Sequence, residues 1–183
     1  ENGKAFLEKV YRQTGITTRL LSGDEEARLA LRGVQSVFEQ DRPRCSSLII
    51  DIGGGSTELM VTSDGSLSLV ESLPLGVVHL SEQYLKSDPP LPSQIEKLKT
   101  TIFSTLGSQS SALKKMSSEL NKSTIRLIGT AGTVTTLAAM ELQMTDYAGD
   151  KINGHMLSYS AIEDLYHKML QLPAAKRKKL PGL

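Results

Sequence analysis

The sequence has few of the residues on which several protein classes depend. It contains one cysteine, Cys45, and no tryptophan, and aromatic residues make up 4% of it. One cysteine cannot form a disulfide framework within the chain, which favours a reducing compartment, so we expect a cytoplasmic protein. No apolar run approaches the roughly 20 residues that a membrane-spanning helix needs, so we expect no membrane partner.

An excess of either charge is also missing. The 183 residues carry 21 Lys and Arg against 20 Asp and Glu, for a net charge of +1. This balance gives no general attraction for nucleic acid, and no aromatic residues alternate with basic ones as single-strand binding requires. At 39% hydrophobic residues, the chain has enough apolar surface for a folded core. We expect residues 1–183 to form one domain with no nucleic-acid partner.

Hydrophobic spacing predicts alternating helices and strands, one β-hairpin, and therefore an α/β fold with a mixed sheet. The hairpin is predicted around Asp64-Gly65, with the parallel strands in the centre of the sheet and the antiparallel ones at its edges. Residues 146–154 are predicted to form a loop. Strands are predicted at residues 16–21, 48–50, 59–62, 67–73 and 124–128, and helices at 4–13, 25–38, 77–85, from Ser93 through Leu113, from Val134, and 162–169.

Residues 51–58, Asp-Ile-Gly-Gly-Gly-Ser-Thr-Glu, have the strongest chemical signal in the chain. They follow a short buried strand, and three glycines without Cβ atoms let backbone N–H groups approach an anion closely. Asp51 and Glu58 flank this turn, and hard divalent cations prefer oxygen ligands. The pattern indicates a phosphate site with a divalent metal. The competing interpretation is a glycine-rich hairpin turn with solvated acids.

A second glycine segment, residues 129–133 with the sequence Gly-Thr-Ala-Gly-Thr, lies between a predicted strand and a predicted helix. Unpaired N–H groups at a helix N-terminus are available to an anion, although such a segment alone is more often a tight connection. Two glycine turns at the carboxyl ends of strands in one α/β chain favour a shared crevice.

Two acids, Glu25 and Glu26, begin the helix that follows Ser22 and Gly23. Helix capping is the simpler interpretation, because the helix dipole favours negative charge in its first turn. The alternative is that a carboxylate held near a phosphate orients a water molecule for in-line attack, as a general base does.

Residues 22–28, 51–58 and 129–133, in this order and spacing, resemble the exopolyphosphatase / guanosine pentaphosphate phosphohydrolase (Ppx/GppA) family. Residues 75–82 and 180–183 are similar to it too, so the resemblance spans nearly the whole chain. It implies the actin-like ATPase superfold, in which two ribonuclease-H-like halves close on a phosphate-binding cleft. It also implies a magnesium-dependent hydrolase that releases the terminal phosphate of inorganic polyphosphate, or the 5′ phosphate of guanosine pentaphosphate (pppGpp).

The resemblance assigns roles to individual residues. Glu26 matches the acid that activates water, with Glu25 as the second candidate, and Asp51 and Glu58 match carboxylates associated with Mg²⁺. The phosphate-binding residues that it implies are Gly53, Gly54, Gly55, Ser56 and Thr57 in the first turn, and Gly129, Thr130, Gly132 and Thr133 in the second.

One family feature does not occur in this chain, namely the Asp-x-Gly-Ser-Asn-Ser loop of the family's first half. We therefore expect residues 1–183 to be the second half of a two-domain phosphatase, without the first half and the C-terminal end, and poorly active alone. The full-length protein is expected to be capable of forming a homodimer. Two other functions stay open: a phosphotransferase of the same superfold, similar to acetate or sugar kinases, and a non-catalytic sensor that binds guanosine tetraphosphate or another phosphate ligand.

Overall fold

A four-stranded mixed sheet is the centre of the computed structural model, which describes residues 2–38, 46–120 and 125–183. Its strands are β1 (Ser46–Ile52), β2 (Thr57–Ser63), β3 (Ser66–Leu73) and β4 (Ile125–Thr130), in the order β3-β2-β1-β4. β1 pairs antiparallel with β2 and parallel with β4, while β2 and β3 form the predicted hairpin.

The sheet is mixed as predicted, but the expected arrangement of its strands is wrong. The central pair, β1 and β2, is antiparallel, and the parallel pair includes the edge strand β4. The reason is the short connection of residues 53–56 between β1 and β2, since parallel neighbours need a crossover of a dozen or more residues.

Helices cover both faces of the sheet. No helix in the described ranges is long and apolar enough to cross a membrane. The helices are α1 (Gly3–Thr14), α2 (Gly23–Phe38), α3 (Val77–Tyr84), α4 (Pro92–Gln109), α5 (Ser111–Leu120), α6 (Ala131–Glu141), α7 (Gly149–Ile152), α8 (Tyr159–Gln171) and α9 (Ala174–Arg177).

Side chains alternate between the two faces of β1 and β2 and fill two separate cores. Ile49 and Met60, which pair across the strands, pack with Ala27 and Leu31 of α2. On the opposite face, Leu48, Leu59 and Val61 form a core with residues of α3, α4 and α5. A strand covered on both faces needs apolar residues at successive positions, which explains the continuous apolar run in β1.

The C-terminal segment packs against α6. Gly182 has a φ of 85°, and a Cβ atom built there would lie 2.4 Å from the carbonyl carbon of Ala139. Only glycine therefore allows the chain to lie this close to the helix backbone. The same helix shares a small apolar cluster with Ile152 of α7, through Ala138 and Ala139.

The structure corrects four local predictions. Residues 16–21 form no strand, because no described strand lies beside them for pairing. The predicted loop at 146–154 contains the single-turn helix α7. The helix predicted from Ser93 begins one residue earlier, at Pro92, and the Gln94 side chain accepts the Leu91 N–H at 3.2 Å. Cys45 and Thr124 lie outside the described residues.

The fourth correction concerns the long helix, which ends at Gln109 and restarts at Ser111. Glu71 of β3 causes this break. Its carboxylate accepts hydrogen bonds from the backbone N–H groups of Ser111 and Ala112 and from the hydroxyls of Ser110 and Ser111, at 2.7–3.2 Å. A carboxylate at these free N–H groups favours the start of a new helix. Burial alone would raise the pKa of Glu71, but these hydrogen bonds outweigh it and lower the pKa to about 2.

We predict that Glu71→Gln lowers the free energy of unfolding by about 2 kcal/mol at pH 7, the usual contribution of hydrogen bonds to a charged group. Because the folded-state pKa is depressed, this stabilisation is complete above the ordinary value of 4.5 and is lost as the pH falls toward about 2. Urea unfolding at pH 7 and pH 2.5 measures the difference. Glu82→Gln, at an exposed position of α3, is the control and should match the wild type. Equal destabilisation at both pH values would contradict the prediction.

Candidate functional site

A pocket of about 170 Å³ opens between the first turns of α2 and the ends of β1, β2 and β3. Small side chains on α2 leave the space for it, and three carboxylates face it. Its lining residues are Gly23, Glu26, Ala27 and Ala30 of α2, with Asp51, Glu58, Met60, Val70 and Ser72 of the sheet.

Strand register places the polar residues of the pocket in one row. Asp51 of β1 pairs with Glu58 of β2, and Glu58 pairs with Ser72 of β3. On its other side, Asp51 pairs with Thr130 at the end of β4. Directly paired residues point to the same face of a sheet, so this row crosses all four strands on the face that α2 covers.

The charges in this row repel one another. Burial raises the pKa of Asp51 above its ordinary value, and the negative charges of Glu58 and Glu26 raise it further. Glu26 and Glu58, which the sequence assigned to catalysis and to metal binding, therefore act electrostatically on the same carboxyl group. The ionised pocket has a negative potential that a bound cation would neutralise.

The neighbouring acid, Glu25, is held outside this pocket. Its carboxylate forms two hydrogen bonds with Arg19, at 2.8 and 3.0 Å, and accepts the Ser22 N–H at 2.9 Å. The Glu25 N–H donates in return to the Ser22 hydroxyl at 3.3 Å, which completes a capping box. Arg19 and then Ser22 lower the pKa of Glu25 to about 2. Helix capping is thus what Glu25 does in the structure, and Glu26 alone of the pair lines the pocket.

The first glycine turn, residues 53–56, presents N–H groups without partners. The carbonyl oxygens of Gly53 and Gly54 accept hydrogen bonds from the first N–H groups of α3, at 3.0–3.2 Å. Within the described ranges, the N–H groups of Gly54, Gly55 and Ser56 meet no acceptor. Because the carbonyls are held against α3, the turn can offer these N–H groups to an anion.

Gly76 allows the chain before α3 to lie directly against the glycine turn. A Cβ atom at residue 76 would lie 2.2 Å from the carbonyl oxygen of Gly54 and 2.2 Å from the carbonyl carbon of Gly55. The buried hydroxyl of Thr57 donates to the carbonyl oxygen of Leu75 at 2.7 Å and holds the segment before Gly76 in place. The Thr57 side chain thus supports the turn from behind, and its predicted contact with phosphate stays a prediction.

The second glycine turn lies at the same edge of the sheet. Thr133 in the first turn of α6 donates its hydroxyl hydrogen to the carbonyl oxygen of Ile52 at 3.0 Å, which links the two turns. Gly129 lets α6 approach β4, because a Cβ atom there would lie 2.5 Å from a methyl carbon of Val134. Thr130 is the last residue of β4, and Gly132 lies in the first turn of α6. The structure thus brings both turns to one edge, beside the carboxylates.

The sequence analysis did not assign two residues that the structure places at the site. Ser72 lines the pocket and donates to Glu58 Oε1 at 2.9 Å. Gly76 lies against the glycine turn. The motif at residues 75–82 was a signal for Gly76. Ser72 had no local signal, because its contact depends on the register of β2 and β3.

The donor set fits magnesium held together with a phosphate. No group of three or more His, Cys, Asp or Glu side chains in the described ranges is arranged to hold a metal ion. Mg²⁺, however, is commonly bound through one or two carboxylates, with waters and substrate phosphates as its other ligands. Asp51 and Glu58, which pair across β1 and β2, supply two such carboxylates. Burial and then the charges of Glu58 and Glu26 raise the pKa of Asp51.

Comparison with known proteins places this site in a family. The model of the Ppx/GppA phosphatase family matches residues 1–183. The chain belongs to the Ppx/GppA phosphatase family. Membership was the sequence-based prediction, and it is confirmed.

Two exopolyphosphatases of Mycobacterium tuberculosis are among the proteins that are similar to this chain. Exopolyphosphatase 1 is 27% identical and matches 100% of this chain and 51% of its own length. Exopolyphosphatase 2 is 31% identical and matches 92% of this chain and 49% of its own length. The chain therefore spans about half the length of these relatives. A bifunctional 3-dehydroquinate synthase/phosphatase of Fusobacterium nucleatum is 31% identical over 89% of the chain and 24% of its own length.

Solved structures confirm the fold class. The Aquifex aeolicus Ppx/GppA enzyme superposes with a TM-score of 0.79 at 28% identity, covering 100% of this chain and 57% of that one. An exopolyphosphatase from Cytophaga hutchinsonii has a TM-score of 0.81 at 24% identity, which shows the fold alone, and covers 100% of this chain and 56% of that one. This Ppx/GppA chain has the ribonuclease-H-like α/β architecture of the actin-like ATPase superfold, as predicted.

We predict that Asp51→Asn stabilises the folded chain by up to about 1 kcal/mol at pH 7, because it removes a partly buried charge next to two others. The folded-state pKa is raised, so the penalty from the charge is complete above that pKa and disappears as the pH falls to the unfolded value. Urea unfolding in EDTA at pH 7 and at pH 3 tests this. Asp164→Asn, at an exposed position of α8, should change neither midpoint. A destabilised Asp51→Asn at pH 7 would show that the charge repulsion is unimportant.

Proposed function

We propose that this chain forms one wall of a phosphohydrolase active site that releases the terminal phosphate of inorganic polyphosphate. One observation carries the proposal: Glu26, Asp51 and Glu58 face a single pocket, beside a glycine turn whose N–H groups are free to bind a phosphate. The names of the two mycobacterial relatives support polyphosphate as the substrate.

In this proposal, Glu26 is the general base. It lies in the first turn of α2 and faces the pocket, whereas both oxygens of Glu25 accept hydrogen bonds from Arg19 and Ser22. Glu26 would accept a proton from the water that attacks the terminal phosphorus, while the bond to the bridging oxygen breaks and the shortened chain leaves.

The two glycine turns would hold the terminal phosphate. Free N–H groups of Gly54, Gly55 and Ser56 act as hydrogen-bond donors to its oxygens, and the first turn of α6 lies at the same edge through Thr133. Asp51 and Glu58 would hold Mg²⁺. The bound ion would neutralise part of the negative charge of the phosphate.

We further propose that this chain is the second domain of a longer protein, in which another domain supplies the facing wall of the cleft. Support comes from its span of about half the length of the exopolyphosphatases. pppGpp is an alternative substrate, because it presents a terminal phosphoanhydride to the same turn, and the assay below compares the two.

We predict that Glu26→Gln lowers kcat on polyphosphate by about 100- to 10,000-fold in the complete protein, with little change in KM, since general-base catalysis contributes a factor of that size. Phosphate release from long-chain polyphosphate and from pppGpp, with Mg²⁺ or with EDTA, measures the effect. Glu82→Gln controls for loss of a surface acid. We expect Glu25→Gln to have the smaller effect on kcat and to lower the melting temperature through loss of the helix cap.

A preference for polyphosphate in this assay would identify the protein as an exopolyphosphatase, and a preference for pppGpp would identify it as a pppGpp phosphohydrolase. A larger loss of kcat in Glu25→Gln than in Glu26→Gln would exchange the roles of the two acids. A folded complete protein that releases phosphate from neither substrate would overturn the proposed function.

We also predict that residues 1–183 alone hydrolyse polyphosphate at least about 100-fold more slowly than the complete protein, because one wall positions the phosphate incompletely. Circular dichroism must first establish that the isolated chain is folded. Equal rates for the folded chain and the complete protein would show that all essential groups lie within these 183 residues.

A further inference from the structure

One carboxylate of the pocket accepts two hydroxyl hydrogen bonds on a single oxygen. Glu58 Oε1 accepts from Ser56 Oγ at 2.6 Å and from Ser72 Oγ at 2.9 Å. The other oxygen, Oε2, has no hydrogen bond from the described residues. This asymmetry fixes the rotation of the carboxylate and leaves Oε2 available to a ligand.

The two hydroxyls differ in how rigidly the backbone holds them. Ser56 ends the glycine turn, in which three residues without Cβ atoms leave the backbone more conformational freedom. Ser72 lies in β3, directly opposite Glu58, and the preceding residue, Glu71, is held at the start of α5 by four hydrogen bonds. Side chains on a paired strand are positioned more accurately than those on loops.

We infer that Ser72 is a positioning residue, which orients the Glu58 carboxylate so that Oε2 can bind a divalent cation at the proposed phosphohydrolase site. This inference rests on the proposed function for the identity of the ligand and goes beyond it in naming Ser72. Groups that orient the ligands of a metal typically change metal affinity or activity by about 10- to 100-fold when they are removed.

The chain offers closely matched variants for a test. Ser72→Ala removes the hydroxyl from Glu58, and Ser72→Thr keeps a hydroxyl in a residue that suits a strand. Ser68→Ala removes a hydroxyl from the same strand, where Ser68 Oγ donates to the carbonyl oxygen of Val61 at 3.0 Å and has no contact with Glu58. Glu58→Gln removes the negative charge itself.

The experiment measures Mn²⁺ binding to the complete protein without substrate by electron paramagnetic resonance, with phosphate release at varied Mg²⁺ as a second readout. We expect Ser72→Ala to weaken Mn²⁺ binding about 10-fold and to raise the half-saturating Mg²⁺ concentration by a similar factor. Ser72→Thr should restore both values, and Ser68→Ala should match the wild type. Equal melting temperatures of these serine variants and the wild type exclude a general loss of structure.

Three results would overturn the inference: wild-type Mn²⁺ affinity in Ser72→Ala, equal weakening in Ser68→Ala, or no Mn²⁺ binding that depends on Glu58. Because binding is measured without substrate, the two proposals fail in different ways. A wild-type protein that binds Mn²⁺ through Glu58 and Ser72 but releases no phosphate would overturn the proposed function and support the role of Ser72.

Discussion

The pairing of β1 with a strand on each side is the constraint on which the rest of the site depends. Antiparallel pairing with β2 sets Glu58 beside Asp51, and parallel pairing with β4 sets Thr130 on the other side. Parallel neighbours end at the same edge, so both glycine turns leave the sheet together. The helix α2, packed on Ile49 and Met60, then brings Glu26 over this edge. One buried strand therefore positions the residues of three separate sequence segments.

Carboxylates of this domain lie in two opposite electrostatic environments, which lower the pKa in one case and raise it in the other. Glu25 and Glu71 receive N–H and hydroxyl donors at the starts of helices, and both have a pKa of about 2. Asp51 accepts no hydrogen bond from the residues that the structure describes, and burial, followed by the charges of Glu58 and Glu26, raises its pKa. The first arrangement stabilises the fold through hydrogen bonds to the carboxylates. The second leaves negative potential at the pocket. Carboxyl groups with a perturbed pKa are typical of functional sites, where a bound ligand can neutralise the charge.

Local patterns predicted the parts of this structure that depend on nearby residues. The strand before Asp51, the hairpin at Asp64-Gly65 and the helix after Gly23 all appear as expected. The break between α4 and α5 could not be predicted, because it depends on Glu71, 40 residues earlier in the chain. The side chains of residues 16–21 alternate as they do in a strand, but such alternation does not show whether a neighbouring strand is available for pairing. The contact of Ser72 with Glu58 likewise follows from pairing register, which the sequence does not display.

A β-bulge in the hairpin of β2 and β3 determines which changes in chain length the domain can tolerate. The register between β2 and β3 shifts between Val61 and Thr62, so this part of the hairpin already accommodates an unpaired residue, Ser68. Insertions or deletions near Asp64 and Gly65 can therefore be absorbed by the bulge and the turn. A single deletion between the bulge and Glu71 would instead exchange the faces of Glu71 and Ser72. Natural length variation in this hairpin should accordingly be confined to its tip.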